Sequence, residues 1–139
     1  MFSGNHAVSI DEKGRMAVPA RFRPTLSELA GSRLVIAPAP GGEVRLYPQP
    51  LFEQIAREQI QKLTNPEHKK ALLRGFIGRA IHLDMDGQGR VLIPGQYRAA
   101  LSASAVLVGQ VDYFALWSEA EWTRQEAALS DDDFAAAGL

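Results

Sequence analysis

Four cationic side chains, Lys13, Arg15, Arg21 and Arg23, fall within eleven residues and are the best placed groups in the chain to act on a partner. Exposed lysine and arginine on a narrow β-ribbon suit DNA: a two-stranded ribbon fits the major groove, and arginine forms a bidentate pair with guanine. The plainer alternative is a hairpin whose charges solvate an edge and discourage aggregation. Asp11 stands four residues before Arg15, and Asp86 four before Arg90. Both carboxylates are expected to brace turns through side-chain to backbone hydrogen bonds.

Catalytic chemistry has far less support. His6, His68 and His82 fall on a terminus, a helix start and a strand, and no two share the helical spacing of a metal site. There is no cysteine, which excludes disulfides and thiolate chemistry. Asp84, Asp86 and Asp112 read as solvated turn acids without a nucleophile or base beside them. Gly87-Gln88-Gly89 is a fragment of a phosphate-loop pattern that a hairpin turn explains equally well. The chain is therefore expected to be no enzyme and to have no cofactor, no metal and no small-molecule substrate.

The cations sit in a stretch that is written twice. Asp11-Glu12-Lys13-Gly14-Arg15-Met16-Ala17-Val18-Pro19 recurs, with changes, as Asp86-Gly87-Gln88-Gly89-Arg90-Val91-Leu92-Ile93-Pro94 at an offset of 75. The same offset sets Phe22 over Tyr97, Arg23 over Arg98 and Leu26 over Leu101. Each copy reads as a polar turn between two short apolar strands, Val8 and Ile10 before the first turn and Met16 to Val18 after it, so a hairpin is expected. Gly14 and Gly89 stand where such a turn needs a positive φ. Pro19 and Pro94 lack the N–H a ladder needs and should end their strands.

The remaining elements follow in the same order in both copies. Arg23 to Gly31 predicts a short helix, and Arg33–Ala37 and Glu43–Tyr47 a second hairpin. Phe52, Ile55, Ala56, Ile60 and Leu63 predict an amphipathic helix over 50–63, and Asn65-Pro66-Glu67 opens another that runs through Ile77. In copy two, Ala80 to Leu83 and Arg90 to Ile93 repeat the first hairpin, and Gln96 to Leu101 the short helix. Ala105–Val108 and Asp112–Trp117 repeat the second hairpin, and Ser118 with Glu121 forms a capping box for a last helix. Asp131-Asp132-Asp133 reads as a frayed acidic tail. The domain boundaries that result are 5–52 for a basic module, 53–79 for a helical connector, 80–124 for the second module and 125–139 for a helix end and tail.

At 139 residues and 46% hydrophobic, the chain can bury a sizeable core. A module of about 45 residues is close to the lower limit for folding alone, so the halves should share a core or pair with other chains. No apolar run approaches the ~20 residues of a membrane span. The N-terminus lacks a signal-peptide pattern, so a soluble cytoplasmic protein without membrane contact is expected. Residues 1–80 carry 12 Lys and Arg against 7 Asp and Glu, a net +5, while residues 81–139 carry 3 against 9, a net −6. One copy is basic and the other acidic, so different tasks are expected of them.

The opening Met1 to Ala7, the Asp11-x-x-x-Arg15 turn ending in Pro19, its second copy from Asp86 and Arg90 to Pro94, and a length near 140 resemble the MraZ family of bacterial transcriptional regulators. The resemblance covers nearly the whole chain. It implies an α+β fold built as a tandem repeat of two swapped-hairpin, AbrB-like β-barrel modules of the SpoVT-AbrB type, with connecting and flanking helices. It also implies a ring-shaped homo-oligomer, association with the nucleoid, and binding of double-stranded DNA at short repeated elements before the division and cell-wall gene cluster. The family's DNA-contacting role carries onto Lys13 and Arg15, with Arg90 as the equivalent in copy two. Gln88 and Gln96 there replace Lys13 and Arg21. The alternative is an AbrB-like protein-interaction module, either an antitoxin or a structural ring.

Overall fold

In the computed structural model, which describes residues 1–139, the chain is a mixed α+β protein with an antiparallel sheet and six α-helices. Its centre follows from four largely apolar strands, β3 (Arg33–Pro38), β4 (Val44–Pro48), β7 (Ser104–Gly109) and β8 (Phe114–Ser118), of which only β4 is interrupted by a charge, at Arg45. Strand side chains alternate between faces, so an unbroken apolar run belongs where both faces are covered. Leu34, Ile36, Leu46, Leu107, Phe114 and Leu116 point into one core of 20 buried residues drawn from both halves. On the opposite face Val35, Ala37 and Tyr47 meet Phe52, while Val106, Val108, Ala115 and Trp117 meet Trp122. The six-stranded sheet runs β1-β7-β8-β4-β3-β5, with β1 (Asn5–Ser9) and β5 (Ile81–Asp84) at its edges.

The expected first hairpin forms its turn but not its ladder. One bridge, Ile10 to Met16, joins the two arms, and they then part. β1 pairs with β7 of the second half, and β5 pairs with β3 of the first. The returning strands β2 (Arg15–Ala17) and β6 (Arg90–Leu92) pair with each other as a separate two-stranded sheet, Met16 opposite Val91. Core burial explains the exchange. Met16, Val18, Val91 and Ile93 are all at most 1% exposed, and the crossed pairing carries these side chains into the shared core while their backbones stay hydrogen-bonded. The halves thus share a core, as their small size demands.

The helices depart from the sequence pattern at four places. α2 (Gln49–Ile55) starts after Pro48 and continues as a π-helical turn over Ala56–Ile60, so the helix expected over 50–63 is wound unevenly and ends three residues early, at Ile60. α3 (Pro66–Gly75) is capped by Asn65, whose Oδ1 accepts from Glu67 N at 2.9 Å and His68 N at 3.2 Å, and a 3₁₀ turn over Ile77–Arg79 takes the place of its expected last residues. Ser118 caps α5 (Glu119–Ala127) through Glu121 N at 3.2 Å, but the Glu121 carboxylate turns to Arg124 rather than back to complete the box. The expected frayed tail is instead helix α6 (Asp131–Ala136), at whose start Asp133 Oδ2 accepts from Ser130 N at 2.9 Å and from Ser130 Oγ at 3.2 Å. The two short helices that follow Pro19 and Pro94 are α1 (Arg23–Ala30) and α4 (Gly95–Leu101).

The crossed β2–β6 pair should carry stability for both halves at once. Met16→Ala, at a fully buried position in that pair, is expected to cost about 2–5 kcal/mol. Denaturant unfolding should show one transition shifted as a whole; loss confined to one half would contradict the shared core.

Candidate nucleic-acid interface

Both turns are built by the same four bonds. Gly14 N donates to Asp11 O at 2.9 Å and Asp11 N to Arg15 O at 3.0 Å, closing the loop. Asp11 Oδ1 then accepts from Lys13 N at 3.0 Å and Arg15 N at 2.9 Å. In the second copy Gly89 N donates to Asp86 O at 3.0 Å, and Asp86 Oδ1 accepts from Gln88 N and Arg90 N, each at 2.9 Å. Gly14 and Gly89 have φ of 87° and 77°, the left-handed region open to glycine.

The remaining carboxylate oxygen holds the arginine. Arg15 Nε donates to Asp11 Oδ2 at 2.7 Å, and Arg90 Nε to Asp86 Oδ2 at 3.2 Å. Each pair stays partly open to solvent, at 42% side-chain exposure for both Arg15 and Asp11. Because Nε is the atom engaged, the two terminal nitrogens of each guanidinium remain unbonded and can still form a fork toward a partner.

The ladder brings these arginines onto one surface. Met16 and Val91 face the core, so their neighbours Arg15, Ala17, Arg90 and Leu92 face outward. Arg15 lies opposite Leu92, and Ala17 opposite Arg90, which sets the two guanidiniums diagonally across a two-stranded ribbon. Lys13 is exposed at the end of this face without an acidic partner. Arg21 is exposed in the 3₁₀ turn Ala20–Phe22, with its guanidinium carbon 4.8 Å from the centre of the Phe22 ring. Arg23 is turned inward by comparison: its Nε donates to Val18 O at 2.8 Å, and its guanidinium covers Gly89 of the other copy.

Two residues of this region carried weak signals in the sequence. Leu92 is 58% exposed between the arginines, an apolar residue on the solvent side of its strand. Arg98 mirrors Arg23 by lying over Gly14, a relation hidden in the 75-residue offset until the strands are seen to cross. The other chemical candidates stay scattered. His6, His68 and His82 lie on β1, α3 and β5, and no three His, Asp or Glu side chains are grouped to hold a metal ion. No helix is long and apolar enough to cross a membrane.

Hydrogen bonds from the backbone and side chain of Arg15 hold the Asp11 carboxyl below its ordinary pKa, and the Arg90 backbone does the same for Asp86. A depressed folded pKa means that the stabilisation is complete above the unfolded value of about 4 and disappears as pH falls through the lower folded value. Amide shifts of Gly14 and Arg15 should therefore hold constant above about pH 5 and move on acidification below about pH 4. In Asp11→Ala they should already be displaced at neutral pH; an unchanged Gly14 shift there would refute the brace.

The family model for the MraZ protein, described as antitoxin-like, matches residues 1–74 and 76–138. Over 138 residues the chain is 41% identical to the transcriptional regulator MraZ of Nitrosospira multiformis, covering 96% of this chain and 92% of that one. It is 40% identical over 139 residues to the transcriptional regulator MraZ of Pseudomonas aeruginosa, covering 98% and 89%. The match to that of Methylococcus capsulatus is 40% over 126 residues, covering 89% and 83%. These relatives are named as regulators and not as enzymes, and with agreement along nearly its whole length the chain belongs to the MraZ family.

Proposed function

We propose that the chain is a sequence-specific, DNA-binding transcriptional regulator without enzymatic activity, and that the outward face of the β2–β6 ribbon is the surface that meets the double helix. The observation that carries this reading is the pair of arginines fixed diagonally on a two-stranded ribbon, each with its terminal nitrogens free. Such a ribbon matches the width of the major groove. Arg15 and Arg90 read base edges in this scheme. Lys13, Arg21 and the outer edge of Arg23 neutralise phosphates, and Leu92 and Ala17 offer apolar contact of the kind thymine methyl groups accept.

The finer picture extends this reading. The exchange of β1 and β5 between halves fits a swapped-hairpin, barrel-like arrangement of two SpoVT-AbrB-type modules, bounded at 5–52 and 80–124 with 53–79 as connector and 125–139 as tail. Copies assembled in a ring would present one ribbon each to short repeated elements before the division and cell-wall genes. Later contacts then become intramolecular and gain in effective concentration. The net +5 of residues 1–80 against the −6 of residues 81–139 suits a head-to-tail contact between neighbouring copies. Cytoplasmic placement on the nucleoid accords with such a role. The family's antitoxin-like description favours one other reading, a module that holds a protein partner and binds no DNA.

Arg15→Ala, in a correctly assembled protein, is expected to weaken binding to DNA from upstream of its own gene by about 1–3 kcal/mol per contacting subunit. Wild-type affinity should also fall steeply with salt, since phosphate neutralisation releases counterions. Gel shifts over a salt series check both. Undiminished affinity of Arg15→Ala would remove the assignment, and absence of any binding by the wild type would favour the protein-interaction reading.

A further inference from the structure

The two turns are locked reciprocally, each by the half to which it does not belong. Ile93 N donates to Gly14 O at 2.8 Å, and Val18 N donates to Gly89 O at 2.8 Å. A Cβ built on Gly14 would stand 2.9 Å from Cζ and from Nη1 of Arg98 and 2.9 Å from Ile93 O. Gly14, at the centre of the Lys13–Arg15 turn, is thus closely covered where a side chain would stand by a guanidinium and a backbone carbonyl of the second half. Arg23 lies over Gly89 in the corresponding way.

The two clamps differ in one respect. Arg23 Nε donates to Val18 O, whereas Arg98 Nε is buried and donates to nothing. A buried donor without an acceptor weakens the folded state, so the contribution of Arg98 to stability does not account for its placement. No carboxylate pairs with it either, although the second half is acidic overall. What its placement does achieve is contact with the turn that carries Lys13 and Arg15.

We infer that Arg98 is a positioning residue for DNA binding, a side chain of the acidic half that fixes the shape of the basic turn without touching DNA itself. The inference rests on the reading of that turn as a DNA contact. A planar guanidinium packed against Gly14 restrains the turn more than a flexible ammonium could, so the geometry of the contact depends on a residue 84 positions away in the chain.

Arg98→Ala, Arg98→Lys and Lys13→Ala should be compared with the wild type for binding to a duplex from upstream of the protein's own gene, by fluorescence anisotropy across a salt series. Arg98→Ala is expected to lower affinity by about two- to thirtyfold, the range of couplings carried through packed networks. The slope of log affinity against log salt should stay at the wild-type value. Lys13→Ala, by contrast, should reduce that slope by about one unit because a phosphate contact is lost. Arg98→Lys, which keeps the stem and the charge, serves if the alanine variant does not fold, and should bind as weakly with displaced amide shifts at Gly14 and Lys13. Wild-type affinity in a folded Arg98 variant would overturn the inference. So would a slope reduced by about one unit in Arg98→Ala, since Arg98 would then be a direct phosphate contact. A wild type that does not bind the duplex would sink both this inference and the DNA reading, whereas a wild type that binds beside folded Arg98 variants of equal affinity would sink this one alone.

Discussion

Two strands of three residues each, β2 and β6, cannot stand alone, and the structure depends on their pairing with one another across the chain's two halves. The bonds from Val18 N to Gly89 O and from Ile93 N to Gly14 O extend that pair at both ends into the turns. Pro19 and Pro94 then stop the ladder, since neither has an N–H to continue it. Each turn is therefore held from outside by residues of the other half, Ile93 and Arg98 at the first and Val18 and Arg23 at the second. Closing contacts over about 75 residues carries an entropic penalty that grows only slowly with loop length. The shared core of 20 buried residues is what offsets it.

Much of the local structure was legible in the sequence, because it is set by residues a few positions apart. Asp11 and Asp86 bond amides two and four residues on, Gly14 and Gly89 take positive φ, and Asn65 and Ser118 cap the helices that follow them. Strand pairing is a different kind of fact. β1 shows strict alternation of exposed and half-buried residues, and that pattern is satisfied as well by β7 as by β2. The period tells which face is buried and not which neighbour covers it. The π turn had a local cue that helical averaging conceals, since Ile55 and Ile60 are five residues apart and both serve the same apolar face. In the acidic tail, composition suggested disorder, while the Ser130–Asp133 spacing specified a helix start.

Duplicated geometry with divergent charge explains how one scaffold can present an asymmetric surface. The Asp and Arg of each turn occupy equivalent places and make equivalent bonds. Around them Lys13 faces Gln88 across the repeat and Arg21 faces Gln96, so the cationic excess gathers beside the first turn. The second half keeps three cations, of which Arg90 lies on the ribbon and Arg98 against the opposite turn. Acidity in that half therefore resides mostly in α5 and α6, away from the ribbon in sequence and exposed to solvent.

If the ribbon is the DNA-binding surface, a carboxylate next to each of its arginines looks unfavourable, since it cancels charge where attraction to phosphates is wanted. Orientation resolves the conflict. An exposed ion pair adds little to stability in water, so Asp11 and Asp86 are not explained as sources of folding energy. Each does bind its arginine through Nε alone, which turns the guanidinium so that its terminal edge points away from the turn. A free arginine would bring more charge but would also have to give up rotamer freedom on meeting a partner. Holding the fork in place beforehand exchanges part of the long-range attraction for a smaller ordering cost at contact, and an ordered fork is what a base edge, unlike a phosphate, requires.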